Sequence, residues 1–150
     1  MIEIRDMALI DIPVLVGLEK ELFPESPWSA LQFREELAGV PKTHKYLVAT
    51  ENGSVIGYAG IALAGDVADI HTIAVIPSHR KQGIASQMLD QLETWASTKP
   101  ITALMLEMRE GNLEAEPLYL KRGYSRISRR DNYYGPGLHA LIMRKELKND

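Results

Sequence analysis

The sequence predicts a mixed α/β (α+β) domain, a central and mostly antiparallel sheet flanked by helices, in the order β-α-α-β-β-β-α-β-α-β-β. Three observations carry this expectation. Short β-branched segments alternate with stretches whose apolar residues recur at helical spacing. Asn52-Gly53 separates two strand-like segments, the strongest short hairpin signal a sequence can carry. Residues 73–86, IAVIPSHRKQGIAS, run from an apolar strand through a basic turn into an amphipathic helix, so the strands flanking that helix pair in parallel.

Each element has its own signal. In residues 2–6, Ile2 and Ile4 alternate with Glu3 and Arg5, which predicts a first strand. Asp11 and Pro13 mark a helix start, Ile12, Leu15, Leu18 and Leu22 form its apolar face, and it stops near Pro24. Ser29 and Gln32 have capping-box spacing for a second helix carrying Phe33 and Leu37. Between them FPESPWS, residues 23–29, is a stiff loop in which Trp28 plugs the core or walls a cleft.

Strands follow at 45–51 and 54–63, where Gly57 and Gly60 predict a bulge or a close backbone approach. A strand at 66–76 leads through Pro77 and Ser78 to a helix at 83–97, with Ile84, Met88, Leu92 and Trp95 on one face. Residues 101–110 are almost continuously apolar, as in a strand buried on both faces, with Glu107 as the interruption. Asn112 caps a helix reaching about 122, Pro117 kinks it or delays its start, and Gly123 ends it. Residues 124–133 and 138–146 form a last hairpin.

Composition narrows the function. The 150 residues predict one domain, 1–150, with an ordinary 45% hydrophobic and 25% charged content. No apolar run reaches the ~18 residues of a membrane span, and MIEIRDM has no signal-peptide character, so a cytoplasmic chain with no membrane partner is expected. With no cysteine there is no disulfide, thiolate metal site or cysteine nucleophile, and no metal is expected. A net charge of −3 argues against nucleic acid as partner.

The basic turn has a definite chemistry. Unpaired N–H groups and the macrodipole at the following helix favour an anion. Gly83 and Ala85 are small enough for a diphosphate to approach, and Arg80 and Lys81 add charge. The pattern is neither a Walker A loop nor the three-glycine dinucleotide fingerprint.

Arg80-Lys81-Gln82-Gly83-Ile84-Ala85 resembles the acetyl-CoA loop, Arg/Gln-x-x-Gly-x-Gly/Ala, of the GCN5-related N-acetyltransferases (GNAT). Residues 106–124, LEMREGNLEAEPLYLKRGY, resemble that family's fifth strand and fourth helix at Leu106, Glu107, Arg109, Asn112, Ala115, Leu118, Tyr119, Gly123 and Tyr124. The likeness covers essentially the whole chain. Leu-Glu-x-Arg at 106–109, Pro-Trp-Ser at 27–29 and Arg-x-Asn-Tyr-Tyr at 130–134 look most like the ribosomal-protein alanine N-α-acetyltransferases.

The resemblance implies acetyl-CoA as co-substrate and a protein N-terminal α-amine, such as that of a ribosomal protein beginning with alanine, as acceptor. It implies direct attack in a ternary complex. Glu107 would accept the amine's proton through water, and Tyr119 would protonate the leaving thiolate. Ile73, Ala74 and Val75 would pair with the pantetheine arm. Lys81, Gln82, Gly83, Ile84, Ala85 and Ser86 would hold the diphosphate, and Asn112 would touch the cofactor. Trp28, His71, Tyr133 and Tyr134 are candidate acceptor contacts.

The residues themselves agree in part. An α-amine with a pKa of roughly 7.7–8.0 arrives largely protonated and needs a base, and desolvation in an apolar strand would raise Glu107 toward a useful range. The plainer alternatives are an ion pair of Glu107 with Arg109 or Lys121, a core aromatic at Tyr119 and a simple cap at Asn112. His71 is the rival base, in phase with Asp69, Ile73 and Val75 along its strand. Tyr133 and Tyr134 are expected on opposite faces. Ala85 stands for the commoner second glycine, and Ile76 where an acidic residue often precedes the proline. Two other functions fit the same elements: a small-molecule amine as acceptor, or a non-catalytic acyl-CoA-binding module.

Overall fold

The structure is a computed structural model that describes residues 1–112 and 115–147. Its strands are β1 (Ile2–Asp6), β2 (His44–Glu51), β3 (Ser54–Ala64), β4 (Val67–Val75), β5 (Ala103–Arg109), β6 (Ser125–Gly135) and β7 (Leu138–Glu146). The helices are α1 (Ile12–Leu22), α2 (Ala30–Leu37), α3 (Ile84–Ser97) and α4 (Ala115–Lys121). The order is the predicted one. The strands form one sheet, β1-β2-β3-β4-β5-β7-β6, antiparallel at every step but one. The exception is β4–β5, which α3 connects and which pair in parallel.

The sheet separates two apolar layers. On one face Met88, Leu89 and Leu92 of α3 pack with Ile61, Ile70, Leu104 and Leu106, and Tyr119 of α4 joins them. On the other, Leu15 of α1 and Phe33 of α2 pack against Tyr46, Val48 and Tyr58. Each fully buried side chain of this kind contributes about 1.5–3 kcal/mol. No helix of the described residues is long and apolar enough to cross a membrane.

Local signals explain the boundaries. Ser29 Oγ accepts from Gln32 N at 3.2 Å and Gln32 Oε1 from Ser29 N at 2.8 Å, the predicted capping box of α2. Asp11 does not cap α1. Its carboxylate turns back to Arg5, at 2.8 and 2.9 Å, and to the Ala8 N–H at 2.8 Å. Pro117 lies within α4, whose described residues run Ala115–Lys121. Gly60 lies beneath the Tyr46 ring, and a Cβ there would meet ring carbon at 2.1 Å.

Three expectations change. The expected bulge lies in β3 beside Gly57, where Ala49 pairs with Gly57 and Thr50 with Val55, leaving Ile56 extra. A further one lies in β4, where Gly60 pairs with Thr72 and Ile61 with Ile70, leaving His71 extra and changing the expected phase of that strand. The bulge breaks the strand's phase, so Asp69 and His71 open to solvent on one face while Ile73 and Val75 pack in the α3 layer. Secondly, β5 is buried on one face only, through Leu104, Leu106 and Met108, while Met105, Glu107 and Arg109 face outward. Thirdly, the β6–β7 register slips between Arg130 and Gly135, which takes Tyr133 and Tyr134 out of strict alternation.

Candidate active site

The bulge at His71 lies where β4 leaves its parallel partner. Pairing runs from Val67–Ala103 to Ile70–Leu106 and stops, although β4 continues to Val75 and β5 to Arg109. The strands therefore part into a notch. Along it, the edge of β4 at Ile73, Ala74 and Val75 has no β5 partner, so its backbone can pair with an extended ligand.

Beyond the notch comes the basic loop. A 3-10 turn at Pro77–His79 ends β4, and Lys81 (φ 64°) and Gly83 (φ 80°) both adopt left-handed backbone. Gly83 opens α3 without a side-chain cap, and nothing lies within 4 Å of where its Cβ would stand. The first N–H groups of a long helix thus face open space, which fits a diphosphate held by Lys81, Gln82, Gly83, Ile84, Ala85 and Ser86. Arg80 has a structural task as well: its Nε donates to Val75 O at 3.0 Å and fastens the loop to the strand end.

On the α1–α2 side of the sheet a cleft of about 870 Å³ reaches the notch. It gathers Trp28, His71, Glu107, Tyr133 and Tyr134, distant in sequence, on one surface. The two tyrosine rings meet edge to face at 5.1 Å and both line the cleft, contrary to the expectation of opposite faces. Trp28 is both plug and wall, with its ring 5.2 Å from that of Phe33.

Glu107 is not desolvated as its apolar strand suggested. Its side chain is 33% exposed, and its carboxylate lies 3.3 Å from Arg130 rather than pairing with Arg109 or Lys121. Arg109 pairs instead with Glu25 of the α1–α2 loop at 2.9 Å.

Tyr119 lies on the other side of the sheet, 4% exposed, its ring 5.7 Å from that of Tyr124. Its hydroxyl has no hydrogen-bond partner among the described residues. Burial pushes it well above the ordinary tyrosine range, so it stays protonated. Tyr119 thus lies on the α3 side of the sheet and Glu107 on the cleft side. Asn112 caps α4, its Oδ1 accepting from Ala115 N at 3.0 Å.

Two glutamates that hold the cleft's walls escaped sequence reasoning. Glu19 is buried in α1 and accepts from Trp28 N at 2.8 Å and from the Tyr58 hydroxyl. A signal was present, because 12, 15, 19 and 22 follow the helix's apolar spacing and a carboxylate there needs partners. Glu36 of α2 takes hydrogen bonds from Tyr46 and His71 and lies 3.3 Å from His44. Burial pushes its carboxyl up, but the Tyr46 and His71 hydrogen bonds outweigh this and hold it below the usual carboxylate range. His71 is thus a tethered cleft wall.

The profile of the acetyltransferase (GNAT) family matches residues 13–124. The chain belongs to this family. It is therefore an N-acetyltransferase that takes its acetyl group from acetyl-CoA. An N-alpha-acetyltransferase RimI of Mycobacterium tuberculosis is 35% identical over 135 residues, covering 86% of this chain and 82% of the relative. The crystal structure of the ribosomal-protein-S18-alanine N-acetyltransferase from Escherichia coli superposes with a TM-score of 0.85 at 25% identity, covering 100% of this acetyltransferase and 96% of that chain. An aminoglycoside 6'-N-acetyltransferase complexed with coenzyme A shares the fold, with a TM-score of 0.82 at 16% identity over 99% of each chain. The acetyltransferase also aligns with an uncharacterized Mycobacterium leprae protein, 34% identical over 142 residues, and spans 38% of that protein's length.

Proposed function

We propose that this acetyltransferase modifies the N-terminal α-amine of a protein, a ribosomal protein beginning with alanine, by direct attack on acetyl-CoA in a ternary complex. The observation that carries the proposal is the early end of the β4–β5 ladder, with Glu107 on the cleft side of the sheet and Tyr119 on the other. Relatives named as N-α-acetyltransferases and as acting on ribosomal protein S18 support the acceptor class.

In this mechanism the cofactor supplies a thioester carbonyl. Lys81 to Ser86 hold its diphosphate, the β4 edge at Ile73, Ala74 and Val75 aligns its arm, and Asn112 borders it. The acceptor enters the cleft between Trp28 and the Tyr133–Tyr134 pair, beside His71. Glu107 takes a proton from the amine through water, and the neutral nitrogen attacks the carbonyl carbon. The carbon–sulfur bond then breaks, Tyr119 gives its proton to the departing thiolate, and the second proton shed by the new amide nitrogen passes through water to restore the tyrosine. A thiolate released in a water-poor notch has its own proton affinity raised, which brings it toward that of the buried tyrosine.

The test is a panel of peptides with differing first residues, with polyamine and aminoglycoside acceptors alongside, incubated with acetyl-CoA and read by mass. N-terminal acetylation of alanine-first peptides is the expected result. Acetylation confined to small amines would replace the acceptor assignment, and cofactor binding without any transfer would make the chain a binding module.

A further inference from the structure

Asp69 differs from the other carboxylates lining the cleft. Glu25 is matched by Arg109 at 2.9 Å and Glu107 by Arg130 at 3.3 Å. Asp69 lines the same cleft, half-buried, and has no hydrogen bond or ion pair among the described residues. A carboxylate partly withdrawn from water without a counter-charge strongly favours any cation placed beside it.

Register says where along the acceptor that cation would be. Asp69 pairs with Met105, two positions before Glu107 on β5. At about 3.3 Å per residue, it lies roughly 7 Å along the strands from Glu107. An acceptor with its amine at Glu107 and its chain extended along the cleft rises at the same rate. Its second or third side chain then lies over Asp69. The walls suit the same chemistry: Trp28, Tyr133 and Tyr134 present aromatic surface, and Tyr133 already carries the Arg130 guanidinium 5.4 Å from its ring centre.

We propose that Asp69 is a specificity-determining residue that receives a lysine or arginine side chain at the second or third position of the acceptor. This rests on the cleft being a peptide N-terminus site. The carboxylate supplies the charge and the aromatic walls exclude water from the stem. A neutral residue at those positions leaves Asp69 unmatched, so discrimination appears mainly in KM.

The experiment compares alanine-first peptides carrying lysine, arginine, glutamine or glutamate at the second or third position. Each is measured by turnover with acetyl-CoA and, separately, by calorimetric binding to the protein. The expected preference for lysine or arginine over glutamine is roughly tenfold at low salt and shrinks as salt is raised. In Asp69→Asn the ratio falls toward one, and in Asp69→Lys it turns toward glutamate. Equal affinity of the unaltered protein for lysine and glutamine peptides overturns the inference. So does an Asp69→Asn variant that weakens all the peptides by one factor, because Asp69 would then serve the α-amine or the fold. Binding separates this inference from the reaction. A protein that selects lysine peptides through Asp69 without acetylating them upholds the subsite and removes the proposed activity.

Discussion

Arg130 lies 3.3 Å from the Glu107 carboxylate while its guanidinium covers the Tyr133 ring at 5.4 Å. One side chain of β6 thus ties the proposed base on β5 to an aromatic wall of the cleft. Both charged partners are partly exposed, so the pair contributes at most about 1 kcal/mol to stability. Arg130→Met is predicted to leave urea unfolding nearly unchanged and to lower kcat/KM on an alanine-first peptide severalfold. Unfolding curves and steady-state rates check this together, and an unchanged kcat/KM would reduce Arg130 to a surface charge.

Glu107→Gln keeps the shape of the side chain and removes its capacity to take a proton. Turnover should fall by roughly 10²-fold or more, with cofactor and peptide binding retained. Higher pH should restore part of the rate, because more of the amine arrives deprotonated. His71→Ala should be milder, since His71 is tied to Glu36. Paired pH–rate profiles decide: loss of the acidic limb in the His71 variant alone would exchange the two roles.

Tyr119→Phe removes the hydroxyl of a buried ring, a group with no hydrogen-bond partner among the described residues. No hydrogen bond is broken, so the melting temperature should hold or rise slightly. Turnover should drop by about 10²–10⁴-fold with cofactor affinity little changed. A loss smaller than about fivefold would argue against the proton-donor role.

Gly83→Val tests the loop. At φ 80° a β-branched residue costs roughly 1–2 kcal/mol locally, and its methyl groups fill the space in front of α3. Calorimetry should show a strong loss of acetyl-CoA affinity in a protein that still folds. Unchanged affinity would move the diphosphate elsewhere.

Acid stability has a separate determinant. The Arg5 hydrogen bond first, and the Ala8 N–H with it, hold Asp11 below the ordinary aspartate value of 3.8 against the opposing effect of burial. Its folded pKa lies below its unfolded one. The stability it contributes is therefore complete above the unfolded value and is lost as pH falls through the folded one. Asp11→Asn should flatten the acid side of a melting-temperature profile while lowering stability near neutrality. An acid limb as steep as before would assign that sensitivity to other carboxylates.

What the sequence revealed follows the range of the interactions involved. Helices, strands and the Ser29–Gln32 box depend on neighbours within a few positions, so period and turn chemistry expose them. The strand–turn–helix course of residues 73–97 was legible for the same reason. The phase of β4 was not, because the bulge at His71 exists only against the register of β3. Likewise Tyr133 and Tyr134 share a wall because β6 slips against β7. Glu107's partner, Arg130, reaches it across a hairpin, a contact that no local spacing announces. Glu19 could have been found, as a charge at an apolar helical position, whereas Glu36 draws its meaning from residues on β2 and β4.

The early end of the β4–β5 ladder has a consequence for the protein's lifetime. Between Ile70 and Val75 the sheet lacks one edge's worth of cross-strand bonds. In the proposed binding mode, a pantetheine arm lying there would act as a missing strand and add cohesion to the folded state alone. At one hundred times its Kd such a ligand adds about 2.7 kcal/mol. Amide exchange over residues 72–75 should then slow, and the chain should last longer against proteases, in proportion to the supply of acetyl donor.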